Sequence, residues 1–264
     1  MRHYEDIEVD RDGPVWTVRF ARPDRLNAVR AQTLKEFLDV LETAAGDDDL
    51  RVLVVTGAGR AFCAGQDLEE LGLALGQVDL VQAREELDRF QQVTTTMLNH
   101  PKVLVAALNG VAVGFGAEIA VACDLRIAST NARIGFVEVT RGLFETNGVL
   151  WLLPRIVGHG AAAHLLLTGA IVPAEEAYRL GLVTACVQPE ELADHAAALA
   201  GTLAGNAPIP VQGIKEVLRL TWDADLGTVM DKEVEGMLAC LDSEDLREGT
   251  AAFLQKRRPV YRGR

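Results

Sequence analysis

Paired cysteines are missing from this chain. Cys63, Cys123, Cys186 and Cys240 stand singly, with no Cys-x-x-Cys and no Cys/His cluster. That excludes the common zinc motifs, and the thiols read as buried ones in a reducing compartment. The five histidines, His3, His100, His159, His164 and His195, form no metal motif either, so each reads as structural or exposed and no metal is expected. A phosphate loop of the form Gly-x-x-x-x-Gly-Lys-Ser/Thr is absent, as is a Gly-x-Ser-x-Gly nucleophile elbow. A dinucleotide fingerprint starts at Gly114-Phe115-Gly116 but ends on Ile119, and it sets Glu118 where a pyrophosphate would lie. Excess basic charge is lacking too. Lys and Arg number 26 against 38 Asp and Glu, a formal net charge of −12, which argues against non-specific binding to nucleic acid or anionic lipid. A small polyanionic ligand stays open, because a local arginine cluster overrides the average. The N-terminus has no apolar signal core. The one long apolar run, Val103 to Cys123, is interrupted by Asn109, glycines and Glu118, and a carboxylate there is expensive in lipid. A buried strand followed by a buried helix explains that run better, and a cytoplasmic location is the expectation.

What is present suits a large core. The 264 residues are 49% apolar and 24% charged, which fits one large domain or a domain with an appendage. Three stretches read as strands: the partly alternating residues 14–20 and the short apolar runs 51–56 and 103–108. The runs have the character of parallel strands covered on both faces. Residues 124–128 and 182–187 are further strand candidates, and the stretch 57–71 reads as a glycine-rich loop. Helices are predicted over 30–45, 80–99, from about 114, after Asn147-Gly148, and over 160–168 and 173–180. From Pro189 onward the pattern is helical throughout, over 189–205, 208–221, 225–241 and 243–256, so an α/β body gives way to an all-helical end.

The stretch Asn109 to Glu138 carries the chemistry. Gly110, Gly114 and Gly116 open a helix, Glu118 sits in its first turn, and Glu138 follows after a strand-like run. Backbone N–H groups at a helix N-terminus carry partial positive charge, and glycine lets a ligand approach them closely. Such donors would stabilise an enolate oxyanion. Close helix–strand packing also calls for glycine, and the residues alone leave the two readings open. Two carboxylates in apolar surroundings would handle protons, and burial would raise a carboxyl pKa.

Several segments in order resemble the crotonase (enoyl-CoA hydratase/isomerase) superfamily. They are Arg22-Pro23 with Leu26-Asn27-Ala28, Ala61 through Leu68, Pro101-Lys102-Val103 through Asn109-Gly110, Gly114-x-Gly116-Ala117-Glu118 with Cys123-Asp124, Leu167-Thr168-Gly169, Ala177 with Gly181-Leu182-Val183, and Phe253 through Pro259. The resemblance covers nearly the whole chain. It implies an α/β fold: a spiral of β-β-α turns over residues 1–200 binding acyl-CoA, then a helical trimerisation region over 201–264. It further implies a homotrimer or dimer of trimers, with a coenzyme A thioester as substrate and no separate cofactor. The oxyanion hole would be the backbone N–H groups of Gln66 and Phe115. Ala64, Gly65, Gln66, Asp67 and Leu68 would line the CoA, with its adenine near Arg25 to Ala28, and Phe253 and Lys256 would reach a neighbour's CoA. Glu118 and Glu138 match the two glutamates of members that hydrate 2-enoyl-CoA.

Two positions depart from that pattern. Phe115 stands where many hydratases have a third glycine. Leu143 to Gly148 replaces a loop rich in proline and glycine, with Glu145 in the place of the proline. Glu145 is either a third acid near the site or a charge at the start of the next helix, favoured by its dipole; the second is the preferred reading. Leu71 to Asp79 is expected to border the acyl pocket. The resulting expectation is an enoyl-CoA hydratase. The alternatives are an isomerase or C–C hydrolase of the same superfamily, and a catalytically silent binding protein.

Overall fold

A computed structural model describes residues 3–67, 69 and 79–264. Gly13, at a φ of +52°, reverses the chain between Ile7–Asp12 (β1) and Val15–Phe20 (β2), which pair antiparallel. Trp16, Val18 and Phe20 point inward from β2. Phe20 meets Phe37 of the helix Ala31–Ala45 (α1) with ring centroids 5.2 Å apart. The apolar runs then add parallel strands at Val52–Gly57 (β3), Val103–Leu108 (β5, numbered in chain order) and Leu125–Ser129 (β7). Ala185–Val187 (β10) closes this sheet in the order β1-β2-β3-β5-β7-β10. The last strand is shorter than the 182–187 expected from sequence. Leu182 and Val183 both donate to the Ala177 carbonyl, so they finish the preceding helical turn instead of extending the strand.

A second sheet lies across the first, and sequence reading misses most of it. Its strands are Ala61–Cys63 (β4), Val111–Val113 (β6), Arg133–Gly135 (β8) and Ile171–Pro173 (β9), in the order β4-β6-β8-β9. Three residues are too few to show a period of two, and β4 sits in a stretch that reads as loop. With it the spiral is complete. Each coil runs from a strand of the first sheet to one of the second and then to a helix: β3, β4 and Leu80–Leu98 (α2), then β5, β6 and Phe115–Ala122 (α3). The third coil passes through β7, β8 and a 3-10 turn at Glu138–Arg141 into Val149–Val157 (α4).

The first sheet is covered on both faces, as its unbroken apolar runs require. One face packs into the main core with α1, α2, α3 and the second sheet. The other takes Leu192, Ala196 and Ala200 from the later helix Leu192–Ala204 (α7, following His159–Thr168, α5, and Ala174–Arg179, α6). The chain ends in Pro208–Leu220 (α8), Leu226–Asp242 (α9) and Glu244–Gln255 (α10), as the pattern predicts. Ile214, Leu218, Met230, Val234, Met237 and Leu241 stand exposed on α8 and α9. Among the described residues no helix is long and apolar enough to cross a membrane.

Candidate active site

Gln66 is held by the stretch Arg22 to Val29. Val29 donates to the Gly65 carbonyl at 2.8 Å and accepts from the Asp67 N–H at 2.8 Å, while Ala64 donates to Leu26 at 3.0 Å. Because Val29 bonds both neighbours of Gln66, the Gln66 N–H is turned to the opposite side. Asn27, 1% exposed, sends its Nδ2 to the carbonyls of Ala58 and Ala61 at 2.9 and 2.8 Å. Asn27 is therefore a buried clamp on the loop. The Arg22 guanidinium adds an ion pair to Asp67 at 3.0 Å.

Facing this loop is the start of α3. Gly114 adopts φ +54° and ψ −131°, a conformation that L side chains rarely adopt, and it leaves Phe115 as the first helical residue. The first N–H groups of a helix have no partner within it. A Cβ placed on Gly65 would lie 3.0 Å from the Val113 carbonyl and 3.6 Å from the Phe115 nitrogen, so the two segments touch. Among the described residues, neither the Gln66 nor the Phe115 N–H has a hydrogen-bond acceptor. The bulk of Phe115 does not obstruct them. Its ring is buried against Phe90 of α2, edge to face, with centroids 4.6 Å apart. Gly116 serves the other purpose of glycine: a Cβ there would sit 2.1 Å from the Cys63 carbonyl. Gly116 therefore meets the packing reading, while Gly65 and Gly114 bring the Gln66 and Phe115 segments together.

Glu118 lies one turn into α3 and is 2% exposed. Asn147 grips it twice, from Nδ2 to Oε2 at 2.5 Å and from its N–H to Oε1 at 3.5 Å. Burial pushes the Glu118 carboxyl up to about 7; the Asn147 bonds oppose this and the charge of Glu138 adds to it. Glu138 arrives from the 3-10 turn, and a Cβ on Gly114 would come within 3.0 Å of its Oε1. Glu145 joins them. Carboxylate oxygens of Glu118, Glu138 and Glu145 all lie within 4.8 Å of one another. Glu145 is thus the third acid near the site, and the preference for a helix-start charge is corrected. The helix α4 is capped by Gly148 and begins at Val149, so Glu145 precedes it and turns inward, 8% exposed. Burial first, then the charge of Glu138, pushes its carboxyl up to about 9.

Glu118, Glu138 and Asn147 open on one cavity of about 340 Å³, within the size range of small-molecule sites. Ala64, Gly65, Gln66, Gly114, Phe115, Glu118, Glu138 and Asn147 form its polar and backbone lining. Ala83, Leu87, Val137, Leu143 and Phe144 supply apolar wall. The arrangement can bind a carbonyl oxygen between two N–H groups and present carboxyls to the carbons beside it.

A sequence model of the enoyl-CoA hydratase/isomerase family matches residues 10–264. The chain belongs to that family. The short-chain-enoyl-CoA hydratase of Clostridium acetobutylicum is 34% identical over 96% of each chain. The (E)-benzylidenesuccinyl-CoA hydratase of Thauera aromatica is 38% identical over 93% of this chain and 94% of its own. The 1,2-epoxyphenylacetyl-CoA isomerase of Escherichia coli is 35% identical over 95% of each. Among solved structures, an enoyl-CoA hydratase from Bacillus anthracis superposes with a TM-score of 0.94 at 32% identity, covering 98% of this chain and all of that one.

Against this family background, the positions expected to bind CoA fall into three groups. Ala64, Gly65 and Gln66 line the cavity, and Gln66 and Asp67 continue into a neighbouring hollow with Val29, Arg30 and Glu86. Arg25 and Ala28 stand on the flank of that loop. Arg25 is exposed and paired with Glu69 at 2.9 Å, and the Ala28 carbonyl accepts from Arg22. Phe253 and Lys256 lie at the far end of α10, and Phe253, 84% exposed, borders a separate hollow with Tyr261; a single chain does not bring them to the site. Leu68 and residues 71–78 lie outside the described residues. Sequence reasoning missed Asn147 as a functional residue. Its position immediately before a glycine marks a helix start and hides that its amide faces Glu118, 29 residues earlier in the chain.

Proposed function

We propose that this protein adds water to a 2-enoyl-CoA thioester, giving a 3-hydroxyacyl-CoA. The observation that carries this is the meeting of Glu118 and Glu138 in one cavity beside the unpartnered N–H groups of Gln66 and Phe115. The thioester oxygen binds between those two donors. A water lies between the carboxyls. Glu138, less deeply buried than Glu118, takes one proton from the water as its oxygen bonds to Cβ. The Cα=Cβ electrons move toward the carbonyl, and the two N–H groups stabilise the enolate. Glu118, raised to about 7 and so substantially protonated at neutral pH, gives its proton to Cα as the enolate collapses. A second water returns the proton from Glu138 to Glu118 and restores the starting state.

The test is a panel of acyl- and enoyl-CoA thioesters read by mass. A gain of one water on a 2-enoyl substrate supports the reading, and turnover of 3-enoyl thioesters without change of mass sinks it. The second outcome is double-bond isomerisation, within the range of the hydratase/isomerase family. That reaction needs one carboxylate to shuttle a proton. The exposed apolar faces of α8 and α9 support a homotrimer or dimer of trimers, in which Phe253 and Lys256 would reach a neighbour's CoA. Sedimentation equilibrium distinguishes these from a monomer.

A further inference from the structure

The described residues leave four buried side-chain atoms without a hydrogen-bond partner: Oε2 of Glu138, both carboxyl oxygens of Glu145, and Oδ1 of Asn147. All four are oxygens, and all belong to the one site. Leaving such groups unsatisfied is costly, so each of these oxygens calls for a proton, a water or a cation. The need is unequal. Glu118 already has both oxygens engaged by Asn147. Glu138 has no donor on Oε2, and Glu145 has none at all. Glu118 and Glu138 line the cavity, whereas Glu145 does not.

We propose that Glu145 is a positioning residue, a neutral carboxylic acid behind the cavity wall that donates a hydrogen bond to Glu138 and aims that carboxylate at the bound water. One proton between the two side chains supplies the missing donor to Glu138 and partners one Glu145 oxygen. No proton is consumed; it stays on Glu145 through the cycle. The alternative occupant is a divalent cation, which three carboxylates could hold. A cation would remove the basicity that Glu138 needs, so the proton is favoured. The high position of Glu145, about 9, agrees with a neutral acid at physiological pH. Among the described residues, Glu118 from α3 and Glu138 from the 3-10 turn lie within 4.8 Å of Glu145, and Arg141 and Glu86 line the adjoining cavity. The charges that act on Glu145 are those of Glu138 and then Glu118. The α2 side beside its loop presents the neutral Gln91, bonded to the Thr146 carbonyl at 3.2 Å.

The kinetic arm of the test rests on the hydratase reading; the spectroscopic arm does not. In isotope-edited infrared spectra of the full-length protein carrying labelled glutamate, a protonated carboxyl band should persist at pH 8 and titrate near 9. Glu145→Gln should remove that band and Glu118→Gln should not. A spectrum with no acid band at pH 8, or one erased only by Glu118→Gln, overturns the proposal. So does retention of one equivalent of Mg²⁺ or Mn²⁺ in equilibrium dialysis. Kinetically, log kcat/KM of the native enzyme should steepen above pH 9 from a one-proton to a two-proton fall, and Glu145→Gln should lose the added steepness. Glutamine keeps a donor, so its loss at pH 7 should stay under about 10-fold, whereas Glu145→Leu should lose about 10²-fold, the lower end of a general base's contribution. Equal losses in the two variants, with both melting as cooperatively as the native protein, would show that Glu145 does more than donate and would overturn the assignment. Absence of hydration by the native enzyme would fail the hydratase reading and leave the infrared result to decide on Glu145.

Discussion

Asp6 and Glu118 are equally buried, each 2% exposed, yet they are held in opposite states. Burial alone would raise Asp6. Hydrogen bonds from Arg30 and Thr33, with the charges of Arg30 and Arg22, outweigh it and hold Asp6 below the usual carboxylate range. The Arg30 guanidinium meets both Asp6 oxygens at 2.8 Å, and the Thr33 hydroxyl donates at 2.6 Å. Glu118 has no cation beside it among the described residues. Its donor is an amide and its other neighbours are carboxyls, so burial wins and it rises to about 7. The first arrangement ties β1 to α1 and spends its hydrogen bonds on structure. The second meets both oxygens with neutral donors and no cation, so the acid keeps its proton more readily. In this molecule the state of a buried acid follows the charge of its partners.

The sharpest way to break that contrast is to remove each acid's charge. Glu118→Gln and Glu138→Gln should each lower hydration by about 10²–10⁴-fold, the range of a general acid or base, in steady-state assays on a 2-enoyl-CoA. Little change in either would return that glutamate to the class of Asp6. Next, Gly114→Ala should cost about 10²–10³-fold, comparable with an oxyanion donor. The new Cβ meets Glu138 at 3.0 Å and the positive φ is lost to strain, so the donor at Phe115 shifts. Near-native kcat in that variant would break the link between the Gly114 turn and the oxyanion hole.

Stability should divide the two acids the other way. Asp6→Asn should destabilise the fold by about 3 kcal/mol at pH 7, as breaking a buried pair does. Asp6 is depressed in the fold, so its contribution is present above its ordinary value and lost as pH falls through the folded one. The difference between native and variant should therefore shrink in acid denaturation curves. Glu118→Gln should instead stabilise at alkaline pH. Glu118 is raised from 4.5 to about 7, so native stability is full below 4.5 and declines as pH rises through 7. That displacement corresponds to roughly 3 kcal/mol, an upper bound on the gain read by urea melts at pH 8.5. The smallest effect belongs to Arg25→Ala. Its ion pair with Glu69 is exposed, so stability should change by under about 1 kcal/mol, and KM for the CoA thioester should carry whatever change appears.

Legibility in the sequence followed the length and independence of each signal. Of the first sheet, β2, β3, β5 and β7 show themselves in the sequence, whereas β1, with mostly polar and exposed residues, does not; the helices among the described residues start and stop close to the bounds read from sequence. Of the second sheet, β4, β6 and β9 give no usable signal, because a three-residue strand has no period. At the site, Glu118 and Glu138 stand out as carboxylates in apolar company. Asn147 and Glu145 do not, because their meaning depends on a loop that folds back over α3. Phe115 looks disruptive on paper. Only the pocket formed by Phe90 shows where its ring goes. Asn27 carries the same lesson: only the fold shows it as a three-way clamp.

The helix α2 touches the site without supplying its chemistry. Phe90 braces the residue whose N–H faces the oxyanion position, Gln91 holds the loop bearing Asn147, and Ala83 and Leu87 form the cavity wall. Under the proposed function, α2 supplies part of the apolar wall while the two glutamates sit on α3 and the 3-10 turn. A designer, or natural variation, can recut α2 at positions 83 and 87 to accept a different acyl group while the glutamates on α3 and the 3-10 turn stay in place. In that sense α2 is one replaceable wall beside the glutamates.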